Sequence, residues 1–140
     1  MDAGQREEIE KLLDGEIQEE LPEAVEREAQ RLVEPEERRI VSLSTDIAAD
    51  GTYGDRWLLV TDRRLVTFVP EDGHARVELD LPLSELRGVR LRDFIGNGSL
   101  EAVTETGAVE VVRFSRSIAP EMPRVERILR SLAKVDEVGG

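Results

Sequence analysis

The spacing of apolar residues changes period twice along this chain, near residue 36 and again near residue 117, and that change constrains the fold more than any other feature. Between residues 38 and 115 the spacing is two, which sends successive side chains to opposite faces of a strand. Seven short runs separate: Arg39–Ile47, Tyr53–Thr61, Arg64–Val69, Ala75–Leu81, Leu86–Arg92, Ser99–Thr104 and Val109–Phe114. Their separators are turn formers. Asp50-Gly51 and Asp72-Gly73 tolerate positive φ, Asp62 can bond its own backbone in Asp62-Arg63, and Gly96-Asn97-Gly98 and Thr106-Gly107 divide the last strands. This pattern predicts a compact antiparallel β-domain.

Helical spacing flanks it. Ile9, Leu12, Leu13, Ile17 and Leu21 recur at three and four residues, with Gly15 weakening the helix and Pro22 interrupting it. A second segment carries Val25, Ala29, Leu32 and Val33 up to Glu34-Pro35, with Pro22 suited to its start. After Phe114, Met122, Val125, Ile128, Leu129, Leu132 and Val135 form one face of an amphipathic final helix, whose regular part Pro120 and Pro123 confine to about residue 121 onward. The expected organisation is an acidic helical segment over 1–36, a β-domain with its helix over 37–135, and a linker or frayed end over 136–140.

The 140 residues suffice for one domain with a real core, since a fold of this size buries about 70% of its extended-chain surface. No apolar run approaches the ~20 residues of a spanning helix, and none near Met1 resembles a signal sequence. The absence of cysteine and the single histidine, His74, exclude disulfides, thiol nucleophiles, zinc fingers and histidine-rich metal sites. The net charge of −12 is concentrated in the first quarter: residues 1–36 hold 13 acids and 4 bases, the remainder 18 and 15. Such a field repels phosphates, so nucleic acid is not an expected partner.

Seven antiparallel strands followed by one amphipathic helix suggest a sheet curled into a barrel and plugged at one end by the helix. Three stretches carry a resemblance. Trp57-Leu58-Leu59-Val60-Thr61-Asp62-Arg63-Arg64-Leu65-Val66 resembles the hairpin of bacterial pleckstrin-homology-like (PH-like) domains, a hydrophobic strand ending in Thr, Asp or Asn, one more residue, then Arg-Leu. Arg113-Phe114-Ser115-Arg116-Ser117-Ile118-Ala119-Pro120 is similar to the stretch closing PH-like domains that precede the membrane segments of certain bacterial ABC exporters. Leu21-Pro22-Glu23-Ala24-Val25, ahead of Glu34 and a first strand, resembles the start of those N-terminal regions.

The resemblance implies a mainly β fold with flanking helices, a PH-like seven-strand antiparallel barrel capped by a C-terminal helix. It also implies a non-catalytic interaction or regulatory domain: the N-terminal cytoplasmic part of an ABC transporter whose membrane and ATP-hydrolysing parts lie outside this chain. The alternative is a free-standing PH-like adaptor that self-associates or binds a protein partner. On either reading the partner is protein, either transporter domains or a second copy in a homodimer. Any membrane tether belongs to a longer parent chain. Phosphoinositide binding is not expected, because Thr45 to Arg56 offers Asp46, Asp50 and Asp55 against one arginine where clustered phosphates need several cations.

Enzymatic chemistry finds no foothold in the residues. Gly96-x-Gly98 lacks the third glycine and the helix of a dinucleotide site, and no Walker A sequence occurs. The three aspartates lack the alternation and terminal glutamate of a calcium loop. Glu7-Glu8 and Glu36-Glu37 read as solvated faces, and His74 as an exposed loop residue. No catalytic, cofactor-binding or metal residues are assigned. The candidate contact residues are Trp57, the hairpin arginines Arg63 and Arg64, and Phe94-Ile95, an apolar pair costly to expose unless covered. For Trp57, Phe94 and Ile95 inward packing is the expected role. For Arg63 and Arg64 the alternatives are a solvated turn and docking on an acidic surface such as the N-terminal helix.

Overall fold

The computed structural model of the chain describes residues 17–47 and 53–133. Seven strands, β1 (Arg39–Ile47), β2 (Tyr53–Thr61), β3 (Arg64–Glu71), β4 (His74–Pro82), β5 (Gly88–Phe94), β6 (Asn97–Thr104) and β7 (Gly107–Ser115), form one antiparallel sheet in the order β4-β3-β2-β1-β7-β6-β5. Helix α1 (Glu23–Leu32) precedes the sheet and α2 (Met122–Ala133) follows it. A one-turn 3-10 helix, Leu83–Glu85, links β4 to β5.

The sheet folds into two halves, β1–β4 and β5–β7, which meet at the pair Ile47↔Arg113. Between them lies the main core: Ile40, Leu58, Val60 and Leu65 from the first half, Val89, Leu100 and Val112 from the second, and Met122, Val125 and Leu129 from α2. The expected seven-strand antiparallel barrel with its C-terminal helix is found, as a sheet that is not closed. No pairing joins β4 to β5 among the described residues, and α2 fills that gap with its apolar face.

The sheet has a second core on its other side. Along β2, Leu58 and Val60 face the main core, whereas Leu59 faces a cluster with Val66, Phe68 and Ala75 that Val25 and Ala29 of α1 cover. Pro22 stands just outside α1, where its carbonyl accepts the first helical bond from the Glu26 N–H at 2.8 Å. Glu23 and Glu26 in the first turn and Arg31 in the last complement the helix dipole.

The expected helix through Ile17 and Leu21 is also corrected; its part before Ile17 lies outside the described residues. Residues 17–20 run extended beside β1, with Gln18 bridging Ser42 in parallel. The Ser42 N–H donates to the Ile17 carbonyl at 3.0 Å and the Glu19 N–H to the Ser42 carbonyl at 2.9 Å. Because β7 reaches β1 only at Ile47, this stretch of β1 would otherwise present an unpaired edge. The Glu19 carboxylate secures the strap by accepting from the Ser44 N–H at 2.9 Å and its hydroxyl at 3.0 Å.

Candidate functional site

The β2–β3 turn gathers Arg63 and Arg64, and its geometry follows from Thr61. The Thr61 hydroxyl accepts the N–H groups of Arg63 and Arg64, both at 3.1 Å, and donates to Glu37 Oε2 at 2.7 Å. Asp62 closes the turn onto the chain before β1: its N–H donates to the Arg38 carbonyl at 3.0 Å, and its carboxylate accepts the Arg38 N–H at 3.1 Å. The Arg64 guanidinium grips Glu37 with two donors, at 2.7 and 3.2 Å, and reaches Asp80 at 3.5 Å. Burial pushes the Glu37 carboxyl up, but the bonds from Thr61, Arg64 and the Glu34 N–H outweigh it and hold its pKa below the ordinary carboxylate value.

Arg64 is therefore committed to a buried partner, and Glu37 is no solvated companion of Glu36. Arg63 remains exposed with Glu36 at 3.8 Å. The acids that Arg63 and Arg64 meet lie between α1 and β1, and a different arginine, Arg39, bonds Glu26 of α1 at 2.7 Å. Arg90 and Arg92 both lie against Glu101, at 2.6 and 3.8 Å. Trp57 is half-buried, paired across the strands with Phe68 and packed against the α1 cluster.

Phe94 and Ile95 behave differently, and their expected inward packing is corrected. Phe94 pairs with Asn97, so Ile95 and Gly96 form a two-residue turn in which Gly96 takes φ 84°. Ile95, at the apex, has no neighbouring strand to cover it and is fully exposed. Phe94 is 42% exposed, and the guanidinium carbons of Arg92 and Arg113 lie 5.5 and 5.6 Å from its ring centroid. The register explains the arrangement: Arg92 and Arg113 both oppose Ser99, so the two arginines flank one row and the ring two residues beyond Arg92 falls beside them. Gly98 supports the tip from within β6, because a Cβ there would lie 2.6 Å from the Phe114 ring.

The arginine of the first hairpin is paired within the fold. Arg56 donates to Glu78 at 2.8 Å, and Asp46 holds the end of β7 by accepting from the N–H and hydroxyl of Ser115. Asp50 lies outside the described residues, and Asp55 is exposed. His74 is exposed beside Glu71 at 3.4 Å. Among the described residues no group of three or more His, Asp and Glu side chains is arranged to hold a metal ion. No described helix is long and apolar enough to cross a membrane.

Among solved structures, the chain is similar to the DH/PH domains of p115-RhoGEF. One crystal structure of them aligns with a TM-score of 0.52 at 14% identity over 96% of this chain and 42% of that one, and a second with 0.53 at 10% over 96% and 43%. The chain thus spans under half the length of those structures, and the likeness is one of fold: seven antiparallel strands and a C-terminal helix in a PH-like sandwich. No family model and no curated protein matches the chain.

Proposed function

We propose that this chain is a non-catalytic PH-like interaction domain whose contact element is the β5–β6 hairpin tip. The observation that carries this reading is the exposure of Ile95 beside a Phe94 ring flanked by two arginines. Aromatic and arginine side chains around an apolar anchor are the composition of binding hot spots, and a rigid hairpin presents them at little entropic cost. Of the other candidates, Arg64 binds Glu37, Trp57 packs against the cluster that α1 covers, and Arg63 is exposed beside Glu36. Phosphoinositide headgroups are not the ligand on this reading, because Arg56 is neutralised by Glu78.

The finer proposal is that the domain is the N-terminal cytoplasmic part of an ABC exporter, supported by the resemblance of Trp57–Val66 and Arg113–Pro120 to such regions. The ATPase and membrane parts would then belong to the same reading frame beyond Gly140, and the partner would be a cytoplasmic surface of that transporter. A frame that continues into membrane spans and a Walker A motif supports this proposal. A frame ending at Gly140 favours the free-standing adaptor. With such a partner in hand, Ile95→Asp should weaken its binding by about tenfold or more, the usual loss for a central hot-spot residue. Unchanged binding would contradict the assignment of the tip.

A further inference from the structure

Two buried polar atoms of β6 have nothing to bond. Leu100 faces the main core, so Ser99 and Asn97, at the alternate positions, face away from it. The helices pack elsewhere, α1 on the cluster of the first half and α2 in the main core. Yet Ser99 is 0% exposed and its hydroxyl has no partner, and neither has the buried Oδ1 of Asn97. The residues opposite are Arg92 and Arg113 for Ser99, and Phe94 and Ser115 for Asn97. Their polar groups are engaged with others: Arg113 bonds Glu110 at 3.1 Å, Arg92 lies against Glu101, and the Ser115 hydroxyl donates to Asp46. The Phe94 ring centroid lies within 5.6 Å of both guanidinium carbons that flank Ser99, which places the ring over the two orphaned atoms.

What lies beneath the ring opposes what holds it there. Attraction between the ring face and the Arg92 and Arg113 guanidinium groups draws it down, whereas water reaches the Ser99 hydroxyl and the Asn97 carbonyl only when it lifts. The two effects are of the same modest order, so neither position prevails outright. We propose that Phe94 is a two-state lid. By rotation about χ1 its ring alternates between a shut position over Ser99 and Asn97 and an open one beside Ile95, in which both atoms are hydrated. This rests on the tip being the contact element and adds its regulation: the open ring joins Ile95 in one apolar surface, and the shut ring withholds it. Phe94 is 42% exposed even when shut, which leaves its way outward clear. The backbone beneath stays fixed, held by the Gly96 turn and the close approach of Gly98 to Phe114. A partner that engages the open ring shifts the population toward it.

NMR of the full chain tests the lid. Three-bond couplings about the Phe94 χ1 read its rotamer populations when exchange is fast, and relaxation dispersion with 4-fluorophenylalanine reads a scarce open state when exchange is slow. Phe68 and Phe114, both buried, serve as controls. The wild type should show two populations at Phe94 and one at each control. Ser99→Ala removes one orphaned atom without adding bulk. It should lower the ratio of open to shut by about fivefold or more and raise the urea midpoint, whereas loss of a bonded hydroxyl would lower it. Arg92→Met, at a half-exposed position, weakens the hold on the ring and should move the ratio the other way. A single Phe94 rotamer in all three chains, or a lower urea midpoint for Ser99→Ala, would overturn the lid. A crosslinker at position 95 that captures a protein while Phe94 keeps one rotamer would overturn the lid and keep the contact. Two rotamers that respond to both substitutions, in a tip that captures nothing, would uphold the lid's equilibrium and overturn the tip as contact element.

Discussion

The Arg64 guanidinium lies 2.7 Å from the Glu37 carboxylate, whose side chain has no exposed surface, although the two residues are 27 positions apart in the chain. The pair joins the start of β3 to the segment between α1 and β1, and Thr61 links both through its hydroxyl. Removing Arg64 would strand a buried carboxylate. Arg64→Ala should cost ~2–3 kcal/mol in urea unfolding, somewhat less than the loss of one member of a fully dry pair because the arginine itself is partly exposed. A loss below about 0.5 kcal/mol, the range of ordinary surface substitutions, would show that water compensates Glu37.

The same pair sets an acid limit. Glu37 titrates below its ordinary value of 4.5 in the folded chain, so the unfolded chain takes up its proton first as pH falls. Its contribution is complete above about pH 4.5 and is lost as pH drops through the depressed folded value. Glu26, lowered chiefly by its hydrogen bond from Arg39, acts in the same direction. Urea midpoints measured from pH 7 down to pH 3 should fall less steeply below 4.5 for Glu37→Gln than for the wild type; parallel curves would contradict the linkage.

The gap between β4 and β5 is filled by α2, and Leu129 is fully buried there. Leu129→Ala should destabilise by ~2–5 kcal/mol, the usual range for truncating a core leucine. Chemical denaturation showing less than about 0.5 kcal/mol would mean that the helix is not docked.

Gly98 tests the support of the tip. Its Cβ position lies 2.6 and 2.8 Å from two Phe114 ring atoms and 3.0 Å from the Arg92 carbonyl, and backbone cannot yield as a flexible side chain does. Gly98→Ala should cost ~1–3 kcal/mol and shift the NMR resonances of Phe94 and Phe114. Unaltered stability and spectra would show that the ring moves aside freely.

Much of this was legible in the sequence, and the failures share a cause. All seven strands follow the period-two runs, with β1 and β2 coinciding with the reading. The fifth was read as starting at Leu86, which is instead a core residue just after the 3-10 turn, buried but not extended into the ladder. Ile17 and Leu21 have helical spacing, yet Ile17 joins the main core and Leu21 packs against the second cluster. The unpaired edge of β1, which no local pattern announces, claims their backbone. Glu37 looked like half of a solvated acid pair because its partners, Thr61 and Arg64, are distant in sequence. Ile95 was expected to be covered because strand apolar residues usually are; Gly96 was the signal that it stands at a turn.

Phosphoinositide recognition should be absent. Sedimentation with vesicles carrying phosphoinositides at low salt gives electrostatic attraction its best opportunity. The chain should remain in the supernatant, and headgroup-specific pelleting would contradict the neutralised state assigned to Arg56.

The central claim, that the β5–β6 tip is where this domain meets another protein, is tested most directly by a photo-crosslinking amino acid at position 95, activated in living cells. Ile95 touches nothing that the fold needs, so the substitution leaves the domain intact. The account predicts a discrete protein adduct, lost when Phe94→Asp is added and absent from a crosslinker placed at exposed Glu85 on the 3-10 turn. No adduct from position 95, or the same adducts from both positions, would contradict it.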